Sequence, residues 1–458
     1  MKTGKWFTIT AAVCGIVLAL SLPAQPQSTA EPDSAIQRRL DEIDQKQRIW
    51  ERKWELAKEE AAAKAKETPV LAAGKDGFSL KSADGKFQLK LRGYVQTDGR
   101  FFLADDEKRF VNTFLMRRIR PIFEGTLDKN FDFYLMLDFS GTAVIQDAYV
   151  DFHYWPQARL RLGKLKAPFG LERLQSGANL LFAERALPAN LGPNRDVGVQ
   201  LHGELAKGAI TYVAGIFNGV ADGASADTDN GDEKDFAIRF FILPFKNTST
   251  ALQGLGAGIA GSSGTQQGSI ASPSLPSYRT PAQQTYFSYR ADATAAGTAI
   301  ASGKRTRLSP QGYYYSGPFG LFGEYVIAKQ EVARGTALAN LQNDAWQVAA
   351  SYIITGQKVN YRGVTLPKPF EPKESSWGAF ELAARYNKLK VAENAFPIFA
   401  DIARSAQTAT AWAVGINWYL NRNSKFTVDY EQTKFDGGAT AGNRQTEKII
   451  FSRLQLSY

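Results

Sequence analysis

Along residues 34–67 apolar side chains recur every three or four positions, and from residue 78 to the end they recur every second position. The first pattern sets Ile36, Leu40, Ile43, Gln47, Trp50 and Trp54 on one face of a helix, with charged residues between them. Ala61 to Ala65 prolongs the helix with little apolar stripe, and Thr68-Pro69 stops it. At 1.5 Å per residue such a stalk spans about 50 Å. Two to three heptads predict a coiled coil that gathers chains into oligomers, trimers first, with Gln47 fixing register at some cost in stability. A lone helix packed on another body is the competing reading.

The second pattern predicts strands. Phe131, Phe133, Leu135, Leu137 and Phe139 alternate with Asp132, Tyr134, Met136 and Asp138; Trp412, Val414, Ile416, Trp418 and Leu420 alternate with Ala413, Gly415, Asn417 and Tyr419. A soluble sandwich and a membrane barrel both give such strands. Aromatic residues near strand ends favour the barrel, whose interfaces carry girdles: Phe101-Phe102, Tyr154-Trp155, Phe169, Phe182, Tyr313 to Tyr315, Phe319, Phe322, Trp377 and Trp418-Tyr419. Short turns at 128–130 and 421–424 contrast with long stretches at 218–235 and 262–306, as on the two rims of an outer-membrane barrel. The alternating end, Ile450 to Tyr458, closes on an aromatic residue. At roughly 22–24 residues per strand and connection, residues 78–458 make an all-β transmembrane barrel of about sixteen antiparallel strands.

Residues 1–30 carry Lys2 and Lys5, an apolar run from Trp6 to Leu22 and then small residues, the layout of a secretory signal. The one cysteine, Cys14, lies inside that run, so disulfides do not hold the mature chain together. The predicted organisation is a signal peptide at 1–30, a periplasmic coiled-coil stalk at 31–69 and a barrel at 78–458. The predicted home is the outer membrane of a diderm, Gram-negative-type bacterium.

The chain carries a net charge of +10, and almost all of the excess lies after residue 67. Basic chains often bind nucleic acid. In a secreted barrel the charge must instead lie on loops, rims or lumen, where arginines and lysines make an anion pore. Alternation points Arg118, Arg120, Arg159, Arg161, Arg239 and Arg385 inward. Each could equally pair with a lumenal acid such as Asp132, Asp138, Asp147, Asp151, Glu124 or Glu381 and merely prop the wall. Arg117 and Arg118 are adjacent, so both reach the lumen only across a bulge.

Several stretches together resemble the phosphate-selective (porin O and P) family of outer-membrane porins. They are Arg117-Arg118 leading into Phe123-Glu124-Gly125; Leu162-Gly163-Lys164 running into Phe169-Gly170-Leu171-Glu172-Arg173; Ser176 and Glu184-Arg185; Trp377 to Leu382 with Arg385-Tyr386; and Asn417-Trp418-Tyr419. The resemblance implies a sixteen-stranded homotrimer whose segment at about 170–195 folds into the lumen as a constriction. It also implies an anion site of Arg117, Arg118, Arg120, Lys166, Arg173, Ser176 and Arg185, fed by Arg92, Arg159, Arg161, Arg239 and Arg385 along the pore. Arg173 replaces the family's usual lysine, Gly177 stands where a second serine would be, Arg120 and Lys166 stand for tyrosines, and Tyr94 for an arginine. The ring stays basic with fewer hydroxyls, so anion preference is a firmer expectation than strict phosphate selectivity.

The function expected is passive diffusion of inorganic anions, phosphate or polyphosphate first, without cofactor or metal. The alternative is a structural envelope protein that tethers the outer membrane through its stalk to a periplasmic or cell-wall partner. An enzyme is disfavoured: His153 and His202 are the only histidines, and no serine motif adjoins either. The acidic run 227–233 resembles a calcium loop but lacks the glycine and glutamate at the right spacing. A solvated loop is the stronger reading.

Overall fold

The computed structural model describes residues 34–458 apart from 75–76, 107–108, 229–230 and 367; the expected signal segment and part of the acidic run lie outside the described residues. The chain divides into two compact units, 1–66 and 67–458. The described residues of the first belong to a helix, α1, which runs Ser34–Glu67. Ile36, Leu40, Ile43, Trp50 and Trp54 are each more than half exposed along it. The apolar stripe read from the heptads is therefore present and uncovered.

The second unit is a closed antiparallel barrel. Its strands are β1 Gln88–Phe102, β2 Thr113–Leu127, β3 Phe131–Asp138, β4 Val144–Trp155, β5 Ala158–Leu165, β6 Asp196–Leu205, β7 Ile210–Phe217 and β8 Asp235–Ile242. They continue as β9 Leu255–Gln267, β10 Ile300–Ser316, β11 Phe319–Arg334, β12 Ala337–Ile353, β13 Ala379–Lys390, β14 Ala406–Tyr419, β15 Ser424–Ala439 and β16 Glu447–Ser457. Each pairs with its neighbour, and β16 closes on β1 from Ile449↔Phe102 to Ser457↔Tyr94. Tyr458 extends the seam by exchanging backbone hydrogen bonds with Gly93, both at 2.9 Å. A short hairpin, Val70–Gly74 with Gly77–Lys81, pairs with the start of β1.

The two faces differ as the alternation requires. Phe236, Ile238 and Phe240 on β8, Trp412, Val414 and Ile416 on β14, and Leu454 and Leu456 on β16 are exposed outward. Their neighbours Ala237, Phe241, Ala411, Ala413, Arg453 and Gln455 are buried within. An apolar belt around the whole wall is far larger than a soluble surface tolerates, and lipid is the solvent that suits it.

One rim carries short turns, 128–130, 156–157, 206–209, 317–318 and 420–423, broken by longer connections at 243–254 and 354–378. The other carries 166–195, 218–234 and 268–299. The expected long loop at 262–306 is shorter than its composition suggested, because its flanks are the ends of β9 and β10. Small residues there serve packing: a Cβ on Gly264 would fall 2.0 Å from Asp235 Oδ1. That carboxylate takes hydrogen bonds from Arg305 and Arg307 at 2.8 and 2.9 Å.

Loops fill one side of the barrel. Phe169, Leu187 and Leu191 pack with Tyr278, Tyr286, Phe287 and Phe399 against small inward residues of the wall, Ala260, Ala328, Ala345, Ala409 and Ala411 among them. Leu171 and Phe182 pack likewise on Phe322, Ala349, Ala383 and Ala413. Phe169, Phe182 and Phe322 are thus interior residues rather than members of a girdle. Apolar side chains of an infolded loop need a dry face as much as rim residues do, and spacing alone does not separate the two.

Candidate functional site

The ladder between β1 and β2 slips by one residue: Gln96 pairs with Arg118, Thr97 with Met116, and Arg117 is the extra residue between them. A bulge turns two successive side chains the same way. Arg117 Nε and Nη2 donate to Glu184 at 2.5 and 3.1 Å, and Arg118 donates to Glu184 at 3.4 Å and to Gln96 Oε1 at 2.6 Å. Arg453 reaches the same carboxylate at 3.0 Å and holds Asp98 at 2.6 and 2.7 Å; Arg100 touches both acids at 3.4 Å. Four guanidiniums therefore meet two carboxylates. Burial alone would push the Glu184 carboxyl up, but Arg117, Arg118 and Arg453 hold it well below the usual carboxylate range. Arg100, Arg453 and Glu184 were not singled out as site residues from the sequence, although alternation along β1 and β16 points Arg100 and Arg453 inward.

Segment 166–195 crosses from β5 to the far wall before returning to β6. Its backbone is pinned by wall side chains. Ala183 N donates to Asp429 at 2.6 Å, Leu187 N to Asn387 at 3.1 Å, and Leu171 N to Glu324 at 2.5 Å; Asn417 and Lys425 donate to the carbonyls of Leu181 and Leu180 at 2.8 and 2.9 Å. Gly170, at φ 76°, opens the one-turn helix α2 Leu171–Leu174. Gly177 lets the wall come close: a Cβ there would stand 2.7 Å from the Tyr94 hydroxyl and 3.4 Å from Arg118 Nε, so the Tyr94 ring would have to shift to admit a side chain.

Among the described residues, three cations of this region hydrogen-bond only to backbone oxygens. Lys166 Nζ donates to the carbonyls of Leu174 and Gln175 at 3.3 and 2.7 Å, Arg185 to those of Glu172 and Gln175 at 3.2 and 2.7 Å, and Arg173 to that of Ala189. Arg195 beside them is held by Asp147 at 3.0 Å. Burial, then repulsion from Arg185 and Arg195, pushes Lys166 well below the ordinary lysine range, and the same causes lower Arg173. Glu172, Glu324 and Asp147 stand close enough to offset part of that repulsion, and an entering anion would offset more of it. A cavity of about 510 Å³ on the long-loop side is lined by Arg117, Arg118, Arg173, Arg185 and Arg279. A second, of about 380 Å³, takes in Lys166, Ser176, Arg161 and Arg239. Gly177 and Arg195 line both, so the two cavities adjoin where segment 166–195 crosses the lumen.

Lys166 carries the group's one amine, which gives up its proton more readily than a delocalised guanidinium. The preference for anions should therefore fall as pH rises, at lower pH than a free lysine near 10.4 would titrate. Lys166→Arg should flatten that profile. Reversal potentials across a pH series, taken on both proteins, check it.

The remaining expected residues are mostly neutralised. Arg92 pairs with Glu124 at 2.7 Å, Arg120 with Asp138 at 2.7 Å, and Arg159 and Arg161 with Asp151 at 3.1 and 2.6 Å. Arg239 lies over Phe241 and donates to Gln311 at 3.2 Å. Ser176 Oγ accepts the backbone N–H of Ala178. Arg385 is a correction to the pore-lining reading. It is inward but covered, clamped between Glu172 at 3.4 Å, Glu431 at 3.0 Å and the Glu184 carbonyl at 2.9 Å, because the infolded segment lies on top of it. His202 and His153 lean on Asp151 and Asp132 as wall residues. Among the described residues no cluster of three His, Cys, Asp or Glu is arranged to hold a metal ion. Asp227, in the acidic run, is engaged by Lys164.

Residues 87–458 match the family model described as phosphate-selective porin O and P. The chain belongs to that family. Porin O of Pseudomonas aeruginosa is 23% identical over 399 residues, 80% of this chain and 87% of that protein. The outer membrane channel DcaP of Acinetobacter baumannii superposes with a TM-score of 0.54 at 11% identity, covering 84% of this porin and all of DcaP. An anion-selective porin from Comamonas acidovorans gives 0.51 at 12% identity, over 81% and 100% of the two chains. The porin is an outer-membrane protein of the Gram-negative type. Its family and fold point to a channel rather than an enzyme.

Proposed function

We propose that this porin is a passive channel for anions, phosphate first and polyphosphate next, working as a homotrimer. One observation carries the reading: where the two cavities adjoin, which we read as the narrowing of the pore, Lys166, Arg173 and Arg185 have only carbonyl hydrogen-bond partners among the described residues, while most of the other lumenal arginines are matched by acids. Guanidinium forks donate paired hydrogen bonds to tetrahedral oxyanions and stay charged at every relevant pH. Several neighbouring cations also let an ion move on before any one of them holds it too tightly. The family's description and the relative described as anion-selective support the same class of solute. The uncovered stripe of α1 supports assembly through the N-terminal helices.

In planar bilayers under a potassium chloride gradient, the purified protein should show a reversal potential of the anion-selective sign. Added phosphate should reduce the chloride current. A cation-selective potential would end the proposal.

A further inference from the structure

The connection 354–378 is the longest on a rim otherwise made mostly of tight turns, the side that faces the periplasm in barrels of this class. Two small hairpins divide it. The second, Phe370–Glu371 with Ser376–Trp377, stays at the rim among aromatic rings, Phe370 lying 5.1 Å from Trp418. The first, Val359–Asn360 with Gly363–Val364, turns into the lumen. Val359 and Leu366 form a small core with Ile353 and Ala379, against which Val364, Tyr315 and Tyr419 pack; Val359 N donates to the Gly317 carbonyl at 3.0 Å and Ile353 N to that of Pro318 at 2.9 Å.

The tip of that hairpin touches the infolded segment from below. Tyr361 stacks on Tyr313, with ring centroids 5.2 Å apart and planes 18° apart. Its hydroxyl donates to the Leu171 carbonyl at 2.5 Å, and Gln175 Nε2 donates to the Tyr361 carbonyl at 2.9 Å. Gln175 is the residue whose own carbonyl holds both Lys166 and Arg185. An unbroken hydrogen-bonded path therefore runs from a periplasmic turn, through α2 and Gln175, to the cations at the narrowing.

We infer that hairpin 359–364 is an internal brace. It fixes α2 from the periplasmic side, Tyr361 acts as a positioning residue for Lys166 and Arg185, and the hairpin forms the lower lip of the passage. Arg362, next to Tyr361, faces the periplasmic cavity of about 850 Å³ below that lip. The inference deepens the anion-channel reading and rests on it for the role of Lys166 and Arg185, but the brace itself is a matter of pore size.

The test uses the full chain, with heat-modifiability on gels confirming that each variant forms a barrel. In the first variant residues 359–364 are replaced by two glycines; in the second, Tyr361→Phe removes a single hydroxyl and keeps the stacked ring. The glycine variant should raise single-channel conductance about twofold in molar chloride, where surface charge is screened. Tyr361→Phe should leave conductance near wild type and weaken phosphate block about two- to tenfold, the worth of one net hydrogen bond. Wild-type conductance in the glycine variant, or unchanged block in Tyr361→Phe, would overturn the brace. Should the glycine variant not form a barrel, the Tyr361→Phe block constant decides alone. The wild-type reversal potential separately tests the anion reading, so the two failures are told apart.

Discussion

Replacing Arg173 and Arg185 together by glutamine should all but abolish phosphate block and pull the reversal potential towards that of a neutral pore. Neither arginine makes an ion pair with a carboxylate among the described residues, and the nearby Glu172 keeps its pairing with Arg385, so both substitutions leave the carbonyls they cap open to lumenal water. A hydrogen bond to a charged group contributes about 1.5–3 kcal/mol. Losing one such contact to phosphate raises the half-blocking concentration roughly ten- to a hundredfold, and losing two raises it further. Arg159→Gln is the comparison. Its charge is already answered by Asp132 and Asp151, each at 3.1 Å, and its loss should change selectivity far less. Equal effects from the two proteins in bilayer recordings would mean that overall lumenal charge matters, not the unmatched group.

Glu184→Gln should be the most damaging single change in the lumen, and its effect is on gating and stability before selectivity. Arg117, Arg118, Arg100 and Arg453 all converge on this one carboxylate, which is buried. Removing one partner of a buried ion pair costs about 3–5 kcal/mol. The energy is lost from the contact that ties segment 166–195 to β1, β2 and β16. The variant should unfold at lower temperature and pass larger, noisier currents as the segment loosens. Because the neighbouring arginines hold the Glu184 pKa down, its contribution is complete above the ordinary carboxylate range near 4.3 and is lost only as pH falls through the depressed value. Wild-type protein should therefore keep quiet currents at pH 5, where the glutamine variant does not. Quiet, wild-type-sized openings from Glu184→Gln would show that the clamp is not needed.

The wall was legible in the sequence because lipid outside and water inside enforce a period of two on every strand, and the strand count and inward arginines followed from it. Even the adjacent pair Arg117-Arg118 announced a bulge, since no regular strand turns both inward. The site proper was less legible. Lys166, Arg173 and Arg185 differ from Arg120 or Arg161 in making no direct ion pair among the described residues, and that is a property of three-dimensional neighbours. Glu184 lies in a loop whose sequence carries no periodicity, so nothing local showed that it would gather guanidiniums from both ends of the barrel chain. Arg385 obeyed the alternation and was still removed from the pore, because a segment from another part of the chain covers it. The inward hairpin at 359–364 was hidden for the same reason: Val359, Tyr361 and Leu366 read as an ordinary turn until Tyr313 and α2 are placed beside them.

Sixteen strands enclose a wide cylinder, yet packed loops occupy the side bounded by β11 to β15, leaving the solvent route along β1 to β6. A generous circumference thus ends in a thin, off-axis conduit, and the unit current should be small for a barrel of this girth. Bulky zwitterions, including many antibiotics, should find the doorway too tight.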